Sequence, residues 1–257
     1  RGEPTSGAPM PTVIVTGASR GLGRSIATDL ARRGADVVAT ARSAELLADL
    51  ADDVDGVEVL AGDITEPATR AGVVDLALAR FGSIDGLVNN AGTLDPVARM
   101  HGADADDWAT NLAVNVTAPV ALTALALPAL RAAGGRVVNL SSGVANRPVV
   151  GWGAYCTAKA ALKMATEVLA AEEPDITAVS VRPGVVDTAM QAEIRRVGAS
   201  VMTPEGHERF LDLYETGELL DPAVPGSAIA ALALHAPASM SGAFVSWDDD
   251  EVLALGS

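Results

Sequence analysis

Short β-branched apolar runs alternate with longer stretches of helical periodicity along most of this chain. Thr12–Thr16, Asp36–Ala41, Val57–Ala61, Ile84–Val88, Arg136–Leu140 and Ile176–Val181 read as buried strands. Helical patterns follow them: from a glycine-rich turn through Arg33, over Glu66–Phe81, over Asp104–Ala133 and over Ala154–Ala171, with Pro174 closing the last. A final helix is expected at Pro222–His235 and a short last strand at Ala243–Val245. Ala189–Leu220 is irregular and mixed in pattern, and a segment of that length beside a site predicts a substrate lid. A repeated βα pattern with no linker implies a single α/β domain over residues 12–257, built on a doubly wound parallel sheet. Residues 1–11 are polar and rich in Pro and Gly. They read as a flexible extension or an expression remnant ahead of a start at Met10.

Composition narrows the function classes. Apolar residues make up 49%, enough for a large core, and only 3% are aromatic, so Ala, Val and Leu must fill its volume. A net charge of −15 argues against nucleic acid, an anionic membrane or an acidic carrier protein as the main partner. The longest apolar run, Val116–Leu130, is interrupted by Pro119 and Pro128 and is too short to span a bilayer. No signal-peptide pattern is visible, and the single cysteine, Cys156, fits a reducing compartment such as the cytoplasm. His101, His207 and His235 lack ligand spacing, so no metal site is expected.

The candidate chemistry lies in Leu140–Lys159, where Ser142 precedes Tyr155 and Lys159 follows it by four residues. Residues i and i+4 share a helix face, so the Lys159 ammonium should stand beside the Tyr155 phenol. A fixed positive charge there is expected to lower the phenol's pKa from ~10 and make it a usable acid and base. Ser142 could hold a carbonyl oxygen beside it. The chain has two lysines against sixteen arginines, which makes Lys159 more telling. An ordinary Tyr–Lys helix pair is the plain alternative.

Upstream, Gly17, Ser19, Arg20, Gly21, Leu22 and Gly23 form a glycine turn between the first strand and a helix, as a dinucleotide phosphate site requires. No acidic residue ends the second strand. Arg42 and Ser43 stand there, and Arg42 with Arg20 suits the 2′-phosphate of NADPH. Asp63, followed by Ile64, either accepts from an adenine amino group or caps the next helix. Asn89 and Asn90 at the end of the fourth strand pin loops, while Ala91 and Gly92 leave room for a ribose. Asn115 is a poor residue for a helix interior; it marks a kink that frees a carbonyl for water, or a polar spot in a packed helix. Trp152 either walls a substrate pocket or belongs to the core.

With these residues in hand, the chain resembles the classical short-chain dehydrogenases/reductases from about Thr12 to Asp250, a family with a Rossmann fold. The resemblance rests on Thr16–Gly23 (TGASRGLG), Asn89–Gly92 (NNAG), the series Asn115, Ser142, Tyr155, Lys159, and Pro183-Gly184 with Thr188. It implies that Tyr155 donates the proton, Ser142 orients the carbonyl, Lys159 binds the nicotinamide ribose and Asn115 supports a water relay. Pro183, Gly184, Val186 and Thr188 would hold the carboxamide. Gly151–Cys156, Glu172–Pro174, Val186–Gln191 and Gly217–Asp221 are similar to the sepiapterin reductase and benzil reductase branch. That likeness implies an NADPH-dependent carbonyl reductase with Trp152, Met190 and Gln191 near the substrate. It also implies that Asp249, in the acidic run Asp248–Glu251, anchors an amino group; the plain alternative is a solvated tail. A generic 3-oxoacyl or alcohol dehydrogenase, and a non-catalytic NADP-binding scaffold, are the competing expectations. A homodimer or homotetramer is expected through Asp104–Ala133 and Ala154–Ala171, which carry more apolar surface than one sheet face covers.

Overall fold

The computed structural model of the protein describes residues 10–256, so all but the last two residues of the extension expected over 1–11 lie outside the described residues. Seven parallel strands form one sheet: β1 Thr12–Thr16, β2 Asp36–Ala41, β3 Val57–Ala61, β4 Gly86–Asn89, β5 Arg136–Leu140, β6 Thr177–Arg182 and β7 Phe244–Ser246. Their order is β3-β2-β1-β4-β5-β6-β7. The chain builds outward from β1 to β3, then returns to the other side of β1 with β4. The carboxyl ends of β1 and β4 therefore frame the crevice where ligands bind in such sheets.

Strand parity divides the core. Val13, Val15, Val37 and Ala39 pack on one face under α1 (Gly21–Arg32), with Leu47 and Leu50 of α2 (Ala44–Asp53). Ile14, Val38, Leu87 and Val137 pack on the other, under α3 (Pro67–Phe81) and a long helical run. Successive side chains of a strand point to opposite faces, and helices cover both, so the strands are apolar throughout.

The long run is α4 (Ala105–Leu112), a π-helical turn over Ala113–Thr117, and α5 (Ala118–Ala133). Asp104 starts it by accepting from the N–H groups of Asp106 and Asp107 at 2.9 and 3.2 Å. At 29 residues it is long and apolar enough to cross a bilayer, longer than the run counted from sequence. Ala118, Leu122, Ala126 and Leu130 are nevertheless buried against the sheet, which is the ordinary use of such a face. Next come α6 (Gly153–Glu172), α7 (Ala189–Val197), α8 (Pro204–Glu215) and α9 (Ala223–His235).

Two expectations change. Residues 189–220 are not irregular but hold α7 and α8, joined through a 3₁₀ turn over Gly198–Ser200. They escape notice because few apolar side chains anchor them: Ile194, Met202 and Phe210 are buried, while much of the rest faces water. The helix at residues 223–235 is also not the last, since the acidic run leads into α10 (Asp250–Leu253), which buries Val252.

Leu130 and Leu125 lie on the same helix, the first fully buried and the second 46% exposed. Leu130→Ala is expected to cost about 2–5 kcal/mol in urea unfolding. Leu125→Ala should stay within about 0.5 kcal/mol of wild type. Equal costs would mean that α5 does not present this face to the sheet.

Candidate active site

The first βα turn is shaped by close approach. Gly17 has φ +66°, and a Cβ there would lie 2.9 Å from Ala91 Cα. A Cβ on Gly23 would stand 2.3 Å from the Gly17 carbonyl oxygen, so no larger residue fits. Helix α1 then begins at Gly21 with no side-chain cap and no acid in its first turn. Its leading N–H groups and positive dipole end remain available to an anion. Asn90 fastens the turn from β4, donating from Nδ2 to the Thr16 carbonyl at 2.8 Å and to the Gly17 carbonyl at 3.2 Å.

One cleft of about 1640 Å³ runs from this turn past the ends of β4, β5 and β6 to the α7–α8 lid. It exceeds the usual volume of a single small-ligand pocket, and so has room for a dinucleotide and a second molecule. Ser19, Arg20, Gly21, Leu22, Arg42, Ser43, Asp63, Ile64, Ala91 and Gly92 line one part. Ser142, Trp152, Tyr155, Lys159, Pro183, Gly184, Val186, Thr188, Met190 and Gln191 line the rest. Arg20 and Arg42 make no side-chain hydrogen bond or ion pair among the described residues. Ser43 accepts from the Leu46 N–H at 3.4 Å and caps α2. Asp63 Oδ1 accepts from the N–H and hydroxyl of Thr65 at 2.9 and 2.7 Å, which holds its carboxyl below the usual range. It does not cap α3, whose N-cap is Glu66.

At the far end, α6 carries Tyr155 and Lys159 on one face, both buried. The Lys159 Nζ donates to the Leu140 carbonyl at 2.8 Å and lies 5.5 Å from the Tyr155 ring centre. Burial pushes Lys159 down from 10.5 to about 8. It pushes Tyr155 up from 10.0 to about 12, with the neighbouring Ser142 hydroxyl working in the opposite direction. This corrects the sequence expectation of a lowered phenol: loss of water outweighs the hydrogen bond from Ser142.

Asn115 sits in the π turn, fully buried behind the cleft wall. Its Nδ2 donates to the Thr93 carbonyl at 2.8 Å, and its Oδ1 accepts from the Thr93 N–H at 3.3 Å. A Cβ on Gly92 would fall 2.9 Å from Asn115 Oδ1 and 3.5 Å from Lys159 Nζ, so that glycine keeps open the space between the two groups. Sequence reasoning missed Asn111. Its side chain donates to the Asp95 carbonyl at 2.6 Å, and its carbonyl and Oδ1 both accept from Asn115 Nδ2 at 3.1 Å. The signal was present, since an asparagine four residues before another shares its helix face.

Besides Asn115, two expected contacts are not in the cleft. Asn89 lies beneath it, donating to Asn139 Oδ1 at 2.8 Å and Thr123 Oγ1 at 3.2 Å. Asp249, the residue before α10, turns its side chain back to accept from the Ser246 N–H at 2.7 Å and does not cap the helix. Asp248 lines the cleft in its place, held by the Ser246 hydroxyl. Trp152 serves both of its expected uses. It stacks on Phe210 of the lid (centroids 5.4 Å apart) and meets Tyr155 edge-on at 6.0 Å.

The glycine cradle, uncapped α1 and two free guanidiniums fit a nicotinamide dinucleotide, and the buried phenol and ammonium fit proton transfer at a carbonyl. These features define a nicotinamide-dependent oxidoreductase acting on CH–OH or C=O groups. The chain belongs to the short chain dehydrogenase family, whose model matches residues 11–197. It is 35% identical to benzil reductase ((S)-benzoin forming) of Saccharomyces cerevisiae, over 93% of this chain and 97% of that one. It is equally 35% identical to sepiapterin reductase of Meriones unguiculatus, over 92% and 96%. Among solved structures it is similar to the KRED1-Pglu enzyme, with TM-score 0.90, 42% identity and coverage of 92% and 100%. It is also similar to a variant of actinorhodin polyketide ketoreductase with NADPH, with TM-score 0.83, 26% identity and coverage of 92% and 95%.

The depressed Lys159 gives a test of the site's electrostatics. A buried lysine that binds its proton more weakly than in the unfolded chain costs stability below about pH 8. That cost fades as the pH rises toward 10.5, because there the unfolded chain is losing its proton as well. The difference in Tm between Lys159→Met and wild type should therefore be more favourable to the variant at pH 7 than at pH 10. Thermal melts with a pH-independent difference would contradict the buried-charge reading.

Proposed function

We propose that the protein is an NADPH-dependent carbonyl reductase acting on ketones or α-diketones, with Tyr155 as proton donor. The observation that carries this reading is the convergence of Ser142, Tyr155 and Lys159 at one end of a cleft whose other end presents two unpaired arginines. The names of the relatives support the carbonyl chemistry, and the neighbour solved with NADPH supports the cofactor.

The Gly17–Gly23 turn and α1 would hold the pyrophosphate, Arg20 and Arg42 the 2′-phosphate, and Lys159 the nicotinamide ribose. When bound, NADPH supplies the hydride. Ser142 donates a hydrogen bond to the substrate oxygen and fixes the carbonyl beside the phenol. Tyr155 transfers its Oη proton to that oxygen as hydride reaches the carbon, and a secondary alcohol results. A phenol held near 12 carries its proton at neutral pH, the protonation state that a donor to the carbonyl oxygen needs. Trp152 and Phe210 exclude water beside it. Exposed Val120 on α5, with Met164 and Val168 on α6, support association into a homodimer through these helices.

Tyr155→Phe should lower kcat for benzil at least about a hundredfold while leaving NADPH binding largely intact. A fully active variant would remove Tyr155 from the mechanism. For the cofactor, each charge-assisted bond contributes about 1.5–3 kcal/mol, so kcat/KM with NADPH should exceed that with NADH at least tenfold. Arg42→Ala should bring the two values together. Equal values in wild type would overturn the NADPH assignment.

A further inference from the structure

The arginines of this acidic chain are not distributed evenly between paired and unpaired. Arg24, Arg33, Arg80, Arg131 and Arg196 each meet a carboxylate. Arg70, Arg99 and Arg136 donate to backbone carbonyls. Of the seven described arginines with no side-chain hydrogen bond or ion pair, five line the cleft: Arg20, Arg42, Arg147, Arg182 and Arg209. Arg20 and Arg42 flank the cofactor turn, and Arg182 ends β6. Arg147 and Arg209 belong to neither place.

Arg147 follows the short 3₁₀ turn Gly143–Ala145 that begins at Ser142. Its Nη2 reaches back to 4.0 Å from where a Cβ on Gly143 would lie, so the guanidinium sits over the residue next to the catalytic serine. Arg209 lies on α8, directly before Phe210, whose ring stacks on Trp152. Glu205 and Asp212 stand one turn to either side of it, at helical spacings where ion pairs form readily. Neither is within ion-pair reach; the guanidinium instead lies 5.9 Å from the Phe210 ring centre. Two free guanidiniums thus border the substrate end from opposite elements, one fixed to the Ser142 loop and one to the lid. Beyond the cofactor turn the cleft is lined by the acids Asp95, Asp107, Asp187 and Asp248; none is within ion-pair reach of Arg147 or Arg209 among the described residues, and Asp95 lies in the field of Arg196.

The geometry points to an anion subsite at the substrate end, in which Arg147 and Arg209 hold a carboxylate carried by the carbonyl substrate. This deepens the carbonyl reductase reading and rests on it. Guanidinium forks match carboxylates in shape, and a bond that forms only when the lid lies over the cleft would couple substrate charge to closure. The substrate class is then a keto acid, whose carbonyl takes hydride from NADPH and a proton from Tyr155 while its carboxylate stays unchanged. The product is the corresponding hydroxy acid, with NADP⁺.

The test compares 4-carboxybenzil with its methyl ester, which has nearly the same shape and no charge. In wild type, kcat/KM for the acid should exceed that for the ester at least tenfold. In the double variant R147Q/R209Q the ratio should fall to near one, and R147K/R209K should keep much of it. A general disturbance of the lid would lower both substrates together and leave the ratio standing; that result overturns the subsite, as does a ratio near one in wild type. Binding of the same pair, followed by quenching of tryptophan fluorescence, gives the ratio without turnover. Failure to reduce benzil and both derivatives would count against the reductase reading, whereas equal binding of acid and ester would count against the subsite alone.

Discussion

The hydrogen bond from the Lys159 ammonium to the Leu140 carbonyl holds the two halves of the catalytic end together. It ties α6 to the last residue of β5, the strand that delivers Ser142 to the cleft. Ser141 adds a second tie by donating to the Lys159 carbonyl at 3.3 Å. An ammonium in an apolar interior is costly, and among the described residues this one has a single hydrogen-bond partner for its three donors. That leaves it two donors, while Gly92 holds space open on its far side. A lysine spent wholly on structure would be paired more fully. Here the fold keeps a charge partly unsatisfied at the point where a ribose and a phenol would meet it.

The wall behind that charge is built from a break in a helix. An uninterrupted α-helix over residues 105–133 would satisfy its own backbone and offer nothing to the cleft. The π turn at Ala113–Thr117 widens the helix by a residue, a feature common at functional sites. Asn115 and Asn111 bond to each other and to the loop after β4. This loop carries Gly92 and Thr93, so the widened turn sets where the cleft wall stands. The rigidity of Asn115 is therefore a property of two asparagines and a strand-end loop acting together.

Much of this was legible in the sequence, and the misreadings have physical causes. Glycine spacing, strand runs and the Tyr–Lys interval depend on local geometry, so the sheet, the turn and the shared helix face could all be read. Asn89 was taken with Asn90 as part of one motif. Strand parity separates them: Asn89 shares the face of Leu87 and points beneath α5 toward Thr123, while Asn90 lies past the strand end. The lid helices were hidden by sparse apolar anchors, although Thr203 before Pro204 is a start signal, and its hydroxyl accepts from the Gly206 N–H at 3.1 Å. The raised phenol could not be read from residue spacing. Proximity of charge is written in the sequence, but burial depends on Trp152, Val144 and the lid closing around the ring.

The same distinction between proximity and burial bears on the protonation state of the phenol. A tyrosine lowered by its lysine would be ready to accept a proton from an alcohol. A tyrosine raised by its apolar surroundings carries its proton at neutral pH and holds it more tightly. The residues that raise it, Trp152 and through it Phe210, belong to the substrate side and the lid rather than to the cofactor turn. Proton affinity at the reacting atom is thus set from the start of α6 and from the segment after β6. The glycine turn and the Tyr–Lys pair supply machinery that can work either way. In this chain, the lid packed against Trp152 keeps water from the phenol and its proton in place.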